Sequence, residues 1–567
     1  MSQTPPNFPA NIPVSQETFV NWDGTITVPE VWTCEPASPA DVVTVCNWAV
    51  SAGYTMRARG IMHSWSPLTL VAGTPTNPPV LLIDMTKNLT SLSFTPASGS
   101  QPAQVTVQLG ATMDKLMACL EKQPGGSGAA SGYSFPHIPA PGDLTVGGAL
   151  AIDAHGTAIP SPAESFNASY GSLSNQILAF TAVVTNSPGS KTYSLRTFRR
   201  GEGDDKAFLA HVGRALLIDA TLQVINNYNL RCQSFTNIPN STLFQAPTAT
   251  NPVPPGSVAS YVAQSGRIEV ICYPFVGTCW LKVWTNSPTQ PSGSKPVDAP
   301  YNYPFSDNLP DWVTALLKAV TTTTPELTPT LSQAFMTITS LGLNNIFDPL
   351  YDLWGPSKDL LIYIKDTTLR VTANGYAVHM SKNNIQQSIY DFTTEFNRLL
   401  TSYKSRGLYP VNAPFEIRIT SLDDPQQVAA PNAESPVISA LTKDANDIKN
   451  GWDVAVWFDV LTIPGTKGAN EFYSDLEAWF VTTFKGSYGQ PYPEWSKGWA
   501  YTPANGPWTS AAYMEGIRQN FNNGRPATDN WDWEVATLAK YDQGNLFTNS
   551  LLAQLFVPAG TGKPESR

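Results

Sequence analysis

Short apolar blocks alternate with polar turns over roughly the first 225 residues, and two kinds of spacing recur among them. The segment SPADVVTVCNWAVSAGY (38–54) opens on a serine able to cap a helix, carries Asp41 in its first turn and repeats apolar residues at helical spacing. TMRARG (55–60), PPVLLIDMT (78–86) and AQVTVQLG (103–110) read as strands, and TMDKLMACLEKQ (112–123) reads as an amphipathic helix stopped at GGSG. LSNQILAFTAVVTNSPGSKTYSL (173–195) predicts a hairpin that turns at Asn186–Ser190.

Farther on, IEVICYPF (268–275), CWLKVWT (279–285), PFEIRIT (414–420) and WDVAVWFDVL (452–461) predict strands. Between them IQQSIYDFTTEFNRLLTSYKSRG (385–407) predicts a long helix closed by a glycine. Loops rich in Pro, Ser, Thr and Asn at 246–258 and 286–304 mark a change of region. The pattern divides the chain into an N-terminal part (1–226), a middle domain of strands covered by helices (227–500) and a C-terminal part (501–567), an α+β organisation. At 567 residues the chain is too long for a single core.

Composition narrows the function classes. The chain is 42% hydrophobic but only 14% charged, so Ser, Thr, Asn, Gln, Gly and Pro must cover much of the surface. The formal charge of -10 and the pI near 5.1 argue against a nucleic-acid partner. No segment reaches membrane-spanning length, and the start MSQTPPNFPANIPV lacks the regions of a signal peptide. The expectation is a secreted protein in its mature form, with a cytoplasmic protein as the alternative. Six cysteines show no CxxC pair, and no histidine stands at a zinc-ligand spacing from them, so no metal site is expected. Cys272 and Cys279 can meet across a hairpin. Buried free thiols are the expectation for all six, because a chain this size needs no staples.

Two stretches concentrate chemistry. RARGIMHSW (57–65) places arginines, a permissive glycine and a histidine on one turn, suited to wrapping a pyrophosphate. PAPGDLTVGGALAIDAHG (139–156) offers a second glycine-rich surface. Neither contains a P-loop or the GxGxxG fingerprint, and either alone reads first as a surface turn. In the order in which they occur, the two resemble the flavin-binding domain of the vanillyl-alcohol oxidase family. PFEIRIT, WDVAVWF, PEWSKGWA (493–500) and NLFTNSLLAQL (545–555) further resemble segments of the bacterial cholesterol oxidases with covalently bound FAD. Weaker similarity runs from TPPNFP near the start to the C-terminus.

The resemblance implies a two-domain flavoprotein: an FAD-binding domain of the vanillyl-alcohol oxidase type and an α+β substrate (cap) domain with a large sheet, to which 501–567 returns the chain. It implies that His63 carries FAD covalently and that Arg59, Gly60, Ile61, Met62 and Ser64 line the pyrophosphate and ribityl chain. Gly142, Thr145, Gly147, Gly148 and Gly156 would form the opposite wall, with His155 and Asn549 at the same site. Glu416 and Arg418, two apart on a strand and so on one face, would be a proton-accepting carboxylate and a charge-stabilising guanidinium. Glu269 is the second carboxylate candidate and Lys497 the cation at the hydroxyl or oxygen side. Asp459 stands where the resemblance implies an asparagine, a departure expected either to change pH dependence or to leave that role vacant.

The implied reaction oxidises the 3-hydroxyl of cholesterol, reduces O2 to hydrogen peroxide and isomerises the 5-ene-3-one to the 4-ene-3-one. The implied partners are a sterol, O2 and a membrane surface touched to collect sterol. The alternatives are an FAD oxidase or dehydrogenase of the same fold acting on a sugar, lactone or aryl alcohol, and a secreted binding protein without flavin. The aromatic clusters Tyr301-Tyr303-Phe305 and Trp452-Trp457-Phe458 read as core before they read as a steroid pocket. His137, His211 and His379 read as structural histidines.

Overall fold

The computed structural model describes residues 4–74, 79–126, 128–164, 166–301, 309–364 and 368–557. Strands β1 (Val14–Val20), β2 (Thr27–Cys34), β3 (Thr55–Arg59) and β4 (Val80–Asp84) form one sheet in the order β1-β2-β4-β3, with β2 and β3 both parallel to β4. Helix α1 (Pro39–Ala52) covers it, and its boundaries follow from its ends. The Ser38 hydroxyl accepts from the Asp41 amide, and Gly53 closes the helix at a left-handed φ of 75°.

Then come β5 (Leu92–Thr95), β6 (Gln104–Gln108), β7 (Tyr133–Ser134), β8 (Ile177–Thr185), β9 (Tyr193–Arg199), β10 (Leu216–Gln223) and β11 (Ile225–Asn226). Five of these make an antiparallel sheet in the order β5-β6-β10-β8-β9, and β7 pairs with β11. Helices α2 (Met113–Glu121) and α3 (Val146–Ala151) belong to this lobe. The hairpin expected at 186–190 is the β8–β9 connection.

The second lobe is built on nine strands: β12 (Asn229–Phe235), β13 (Arg267–Cys272), β14 (Trp280–Asn286), β15 (Lys295–Pro296), β16 (Asp352–Pro356), β17 (Thr372–Met380), β18 (Phe415–Ser421), β19 (Val454–Thr462) and β20 (Gln490–Pro493). Their order is β15-β16-β12-β14-β13-β18-β19-β17-β20. Alternation along β18 splits this sheet chemically. Phe415, Ile417 and Ile419 face a core in which Phe392 of the helix Ile385–Ser405 lies 4.5 Å from Phe458 and 5.4 Å from Phe415, ring to ring. Ile385, Ile389, Phe392, Phe396 and Leu400 form the buried stripe of that helix. The intervening residues Glu416 and Arg418 point to the opposite face, opposite Asp459 and Trp457 on β19, with Glu269 of β13 across from Arg418.

The last segment serves both lobes. Phe521 and Trp531 pack against Trp495, after which Leu546 and Phe547 enter the core around α1 and β4. One expectation is corrected: Cys272 and Cys279 form a disulfide. The β13–β14 hairpin brings their Cα atoms to 4.5 Å, so local geometry decides what chain length does not require. Among the described residues, Cys34, Cys46, Cys119 and Cys232 take part in no disulfide. Trp452, Trp457 and Phe458 are core, whereas Tyr303 and Phe305 lie outside the described residues.

Candidate active site

Strand β3 delivers Arg59 to the edge of a cavity of about 470 Å3 that runs from the first lobe to the charged face of the nine-stranded sheet. The amides of Gly60, Ile61, Met62, His63 and Ser64 donate to no described residue, whereas those of Trp65 and Ser66 both donate to the Ser496 carbonyl, at 2.9 and 3.0 Å. Met62 takes a left-handed φ of 61°. A run of free amides bent in this way is an anion-binding concavity. Arg59 lines the cavity while its guanidinium pairs with Glu17. Arg57 is buried and spent on the carbonyls of Gly213 and Leu68.

The opposite wall is one of close approach. A Cβ on Gly60 would stand 2.6 Å from the Thr145 hydroxyl oxygen, and one on Gly147 would stand 3.0 Å from Leu109. Thr145 caps α3 by accepting from the Gly148 amide, and the Gly147 amide donates to Leu109. These amides are therefore engaged within the protein, and Gly147 and Gly148 contribute room for a flat ligand. Gly110 joins this wall without having been singled out from the sequence. Gly142 packs on Asp114 and Gly156 on Ile138, and neither is in the cavity lining. Asn549 is outside it too: it caps the helix Ser550–Leu555 and its amide donates to the carbonyls of Pro67, Leu68 and Thr69, bracing the 57–66 turn from behind.

His63 lines the cavity, stacked on Trp22 with ring centroids 3.9 Å apart and with its buried Nδ1 unpartnered. Burial first, then Arg370 and Lys497, push its pKa down to about 4, so the ring is neutral. His155 stacks on Trp457 at 3.7 Å and bonds the Gly156 carbonyl through Nδ1. Burial and Arg418 hold His155 well below the usual imidazole range. The ring nitrogens of His379 are both satisfied, by Asp447 and the Ala440 carbonyl.

The cavity-facing charges of the sheet form one network. Asp459 is fully buried beneath the lining, bonded to Arg418 and, at 2.7 Å, to Lys497 Nζ. Lys497 also reaches Glu494 at 3.0 Å, and Arg418 lies 3.5 Å from Glu416 and 3.8 Å from Glu269. Both Glu269 oxygens lie 2.8 Å from the Tyr363 hydroxyl, and Lys282 Nζ is 3.3 Å away. Four carboxyls thus share three cations. Despite burial, Lys497 and Arg418 hold the Asp459 carboxyl down at about 2. Burial and then Asp459 push the Glu494 carboxyl up to about 7, and burial raises Glu416 as well.

Glu494, Tyr363 and Lys282 were not among the residues singled out from the sequence. Glu494 is three residues before Lys497 in PEWSKGW, a spacing that could have pointed to it. Tyr363 has no motif. Beyond the charges the cavity turns apolar, between Tyr273, Phe335, Ile338, Leu309 and Leu369.

A glycine-walled cradle on one lobe facing a charged, then apolar, chamber on the other defines a two-domain flavoprotein. A family model for an FAD-binding domain matches residues 32–186, and the model for the substrate-binding domain of cholesterol oxidase matches 229–557. The chain belongs to the cholesterol oxidase family. A solvent-stable cholesterol oxidase superposes with a TM-score of 0.92 at 45% identity, over 98% of this chain and 100% of the other. Cholesterol oxidase from B. sterolicum superposes with a TM-score of 0.91 at 38% identity, with the same coverage. Glucooligosaccharide oxidase from Acremonium strictum shares the fold at 12% identity and a TM-score of 0.54, over 96% of this chain and 97% of the other. No curated protein sequence matches.

Proposed function

We propose that this protein is an FAD-dependent sterol oxidase that oxidises the 3-hydroxyl of cholesterol and isomerises the 5-ene-3-one to the 4-ene-3-one. The observation that carries this reading is the Glu494–Lys497–Asp459–Arg418 network, set where the cradle of the first lobe meets an apolar chamber. The chemistry that bound FAD supplies is acceptance of a hydride and transfer of the electron pair to O2, giving hydrogen peroxide. His63 is the attachment residue: its ring is neutral and its Nδ1 has no competing partner among the described residues. The free amides of Gly60–Ser64 receive the pyrophosphate, and Thr145, Gly147 and Gly148 let the cofactor lie close to the backbone.

The division of labour follows from position. Lys497 lies 5.9 Å from the ring of Trp65 in the His63 turn, so the Lys497–Glu494 pair is on the flavin side. Glu494 accepts the hydroxyl proton there, with a pKa matched to neutral pH, and Lys497 steadies the developing alkoxide. Glu416 lines the cavity and acts electrostatically on Tyr273 at its apolar end, which supports a role for it in the isomerisation. Arg418 and buried Asp459 keep these groups in register.

The sterol arrives from a membrane surface. Six of the ten large hydrophobics exposed among the described residues fall between Trp312 and Tyr351, including Ile346 (87% exposed) and Phe347 (90%). The same segment supplies Phe335 and Ile338 to the apolar chamber. These exposed side chains would seat in a lipid headgroup layer.

Peroxide release with cholesterol is compared against sugars and benzylic alcohols, and the protein is then precipitated in acid. Sterol-dependent peroxide and a yellow pellet are expected. Turnover confined to sugars or aryl alcohols would overturn the substrate, and a colourless pellet would overturn the covalent link.

A further inference from the structure

Among the described residues Trp22 is the one large side chain packed flat on His63, and it comes from a turn that the reaction does not otherwise use. Its indole is buried and lies 3.9 Å from the imidazole at an interplanar angle of 22°. Trp65 meets the same imidazole edge-on, at 5.9 Å and 90°. The guanidinium of Arg370 lies 5.2 Å from the centroid of the indole, and Arg370 is exposed. Trp22 and His63 both line the cavity.

The turn that carries Trp22 is braced on both sides. The Asn21 amide donates to the Trp65 carbonyl at 3.2 Å and its oxygen accepts from the Ile26 amide at 2.8 Å. Asp23 accepts from the amide and hydroxyl of Thr25. The stack is thus tied to the His63 turn and not free to drift from it.

We propose that Trp22, backed by Arg370, is the positioning residue for covalent attachment of FAD at His63. This rests on His63 being the attachment residue. Attachment joins a ring nitrogen of His63 to the exocyclic methyl carbon of the isoalloxazine. One methyl C–H bond breaks, the imidazole gives up its N–H proton, and the electron pair reduces the isoalloxazine. O2 then reoxidises it and leaves as hydrogen peroxide. Only a neutral ring held in one orientation can attack, and two features supply this. The flat stack on Trp22 and the edge contact with Trp65 restrict ring rotation, an effect of about three- to tenfold on the aligned population. The charges of Arg370 and Lys497, the two cations that bear on the ring, oppose its protonation.

The test uses the full-length chain supplied with FAD, scored by the time course of flavin retained in the acid pellet. Trp22→Ala is expected to slow attachment about tenfold, with Trp22→Phe between it and wild type. Dissociable FAD binding, measured with each change in a His63→Ala background, is expected to stay within about threefold. Arg370→Gln is expected to leave attachment unchanged at pH 8 and to slow it several-fold at pH 5, because its acidic limb moves up toward the ordinary imidazole value. Wild-type attachment rates in Trp22→Ala, or a pH dependence unmoved in Arg370→Gln, would overturn the proposal. If Trp22→Ala does not fold, the Trp22→Phe and Arg370→Gln arms decide. A colourless wild-type pellet would instead remove His63 as the attachment residue, and this proposal with it.

Discussion

Replacing Asp459 with asparagine isolates the charge that tunes Glu494. The two carboxyls touch the same ammonium, at 2.7 and 3.0 Å from Lys497 Nζ, so they stand no more than about 6 Å apart. Two unit charges at that distance in an effective dielectric of about 20 repel by roughly 3 kcal/mol, equivalent to about two pKa units. Asp459 is ionised throughout the working range, since its carboxyl is held at about 2. The asparagine keeps the shape and removes the repulsion, so the Glu494 carboxyl should fall from about 7 to about 5. The sign is fixed by the role: a proton acceptor must be ionised, and losing a neighbouring negative charge favours ionisation. The acidic limb of the reaction therefore moves to lower pH.

The assay is stopped-flow reduction of the enzyme by sterol without O2 between pH 4.5 and 9. Wild type should lose rate below about pH 7, and Asp459→Asn should hold it to about pH 5. Arg418 and Lys497 lose a buried counter-charge in the variant, so a drop in stability of up to about 3–5 kcal/mol in urea accompanies the shift. An acidic limb that stays near pH 7 in a folded variant would refute the assignment of Glu494.

Glu416→Gln should leave sterol reduction of the enzyme within about threefold of wild type while the 5-ene-3-one accumulates; immediate formation of the conjugated 4-ene-3-one, read by its ultraviolet absorbance, would remove Glu416 from isomerisation. Cys272→Ser/Cys279→Ser frees a short loop in the unfolded chain and should cost about 2.5 kcal/mol in urea denaturation, with unchanged stability as the contrary result. Trp312→Ser/Phe347→Ser should weaken binding to neutral, cholesterol-bearing vesicles about tenfold or more and leave turnover of detergent-dispersed sterol unchanged. Equal vesicle binding would rule out that patch as the contact surface.

Most local structure was legible from the chain. Capping at Ser38, the helical stripe of 385–405 and the period-two alternation of PFEIRIT are short-range properties, set by side chains a few residues apart. Alternation alone put Glu416 and Arg418 on one face, and the RARGIMHSW and VGGALA stretches marked the two walls of the cradle. The resemblance supplied flavin and sterol, which spacing could not.

Tertiary structure decided what depends on distance between segments remote in sequence. Asp459, carried by a different strand, proved to be the buried counter-ion of Arg418 and Lys497, because antiparallel pairing sets β19 beside β18. Asn549, more than 480 residues beyond the His63 turn, became its brace because the C-terminal segment returns to the first lobe. Glu494 and Tyr363 entered the site, and Gly142 and Gly156 left it. A side chain's chemistry is fixed by its type, but its pKa and its role are fixed by the charges and the burial that the fold brings to it.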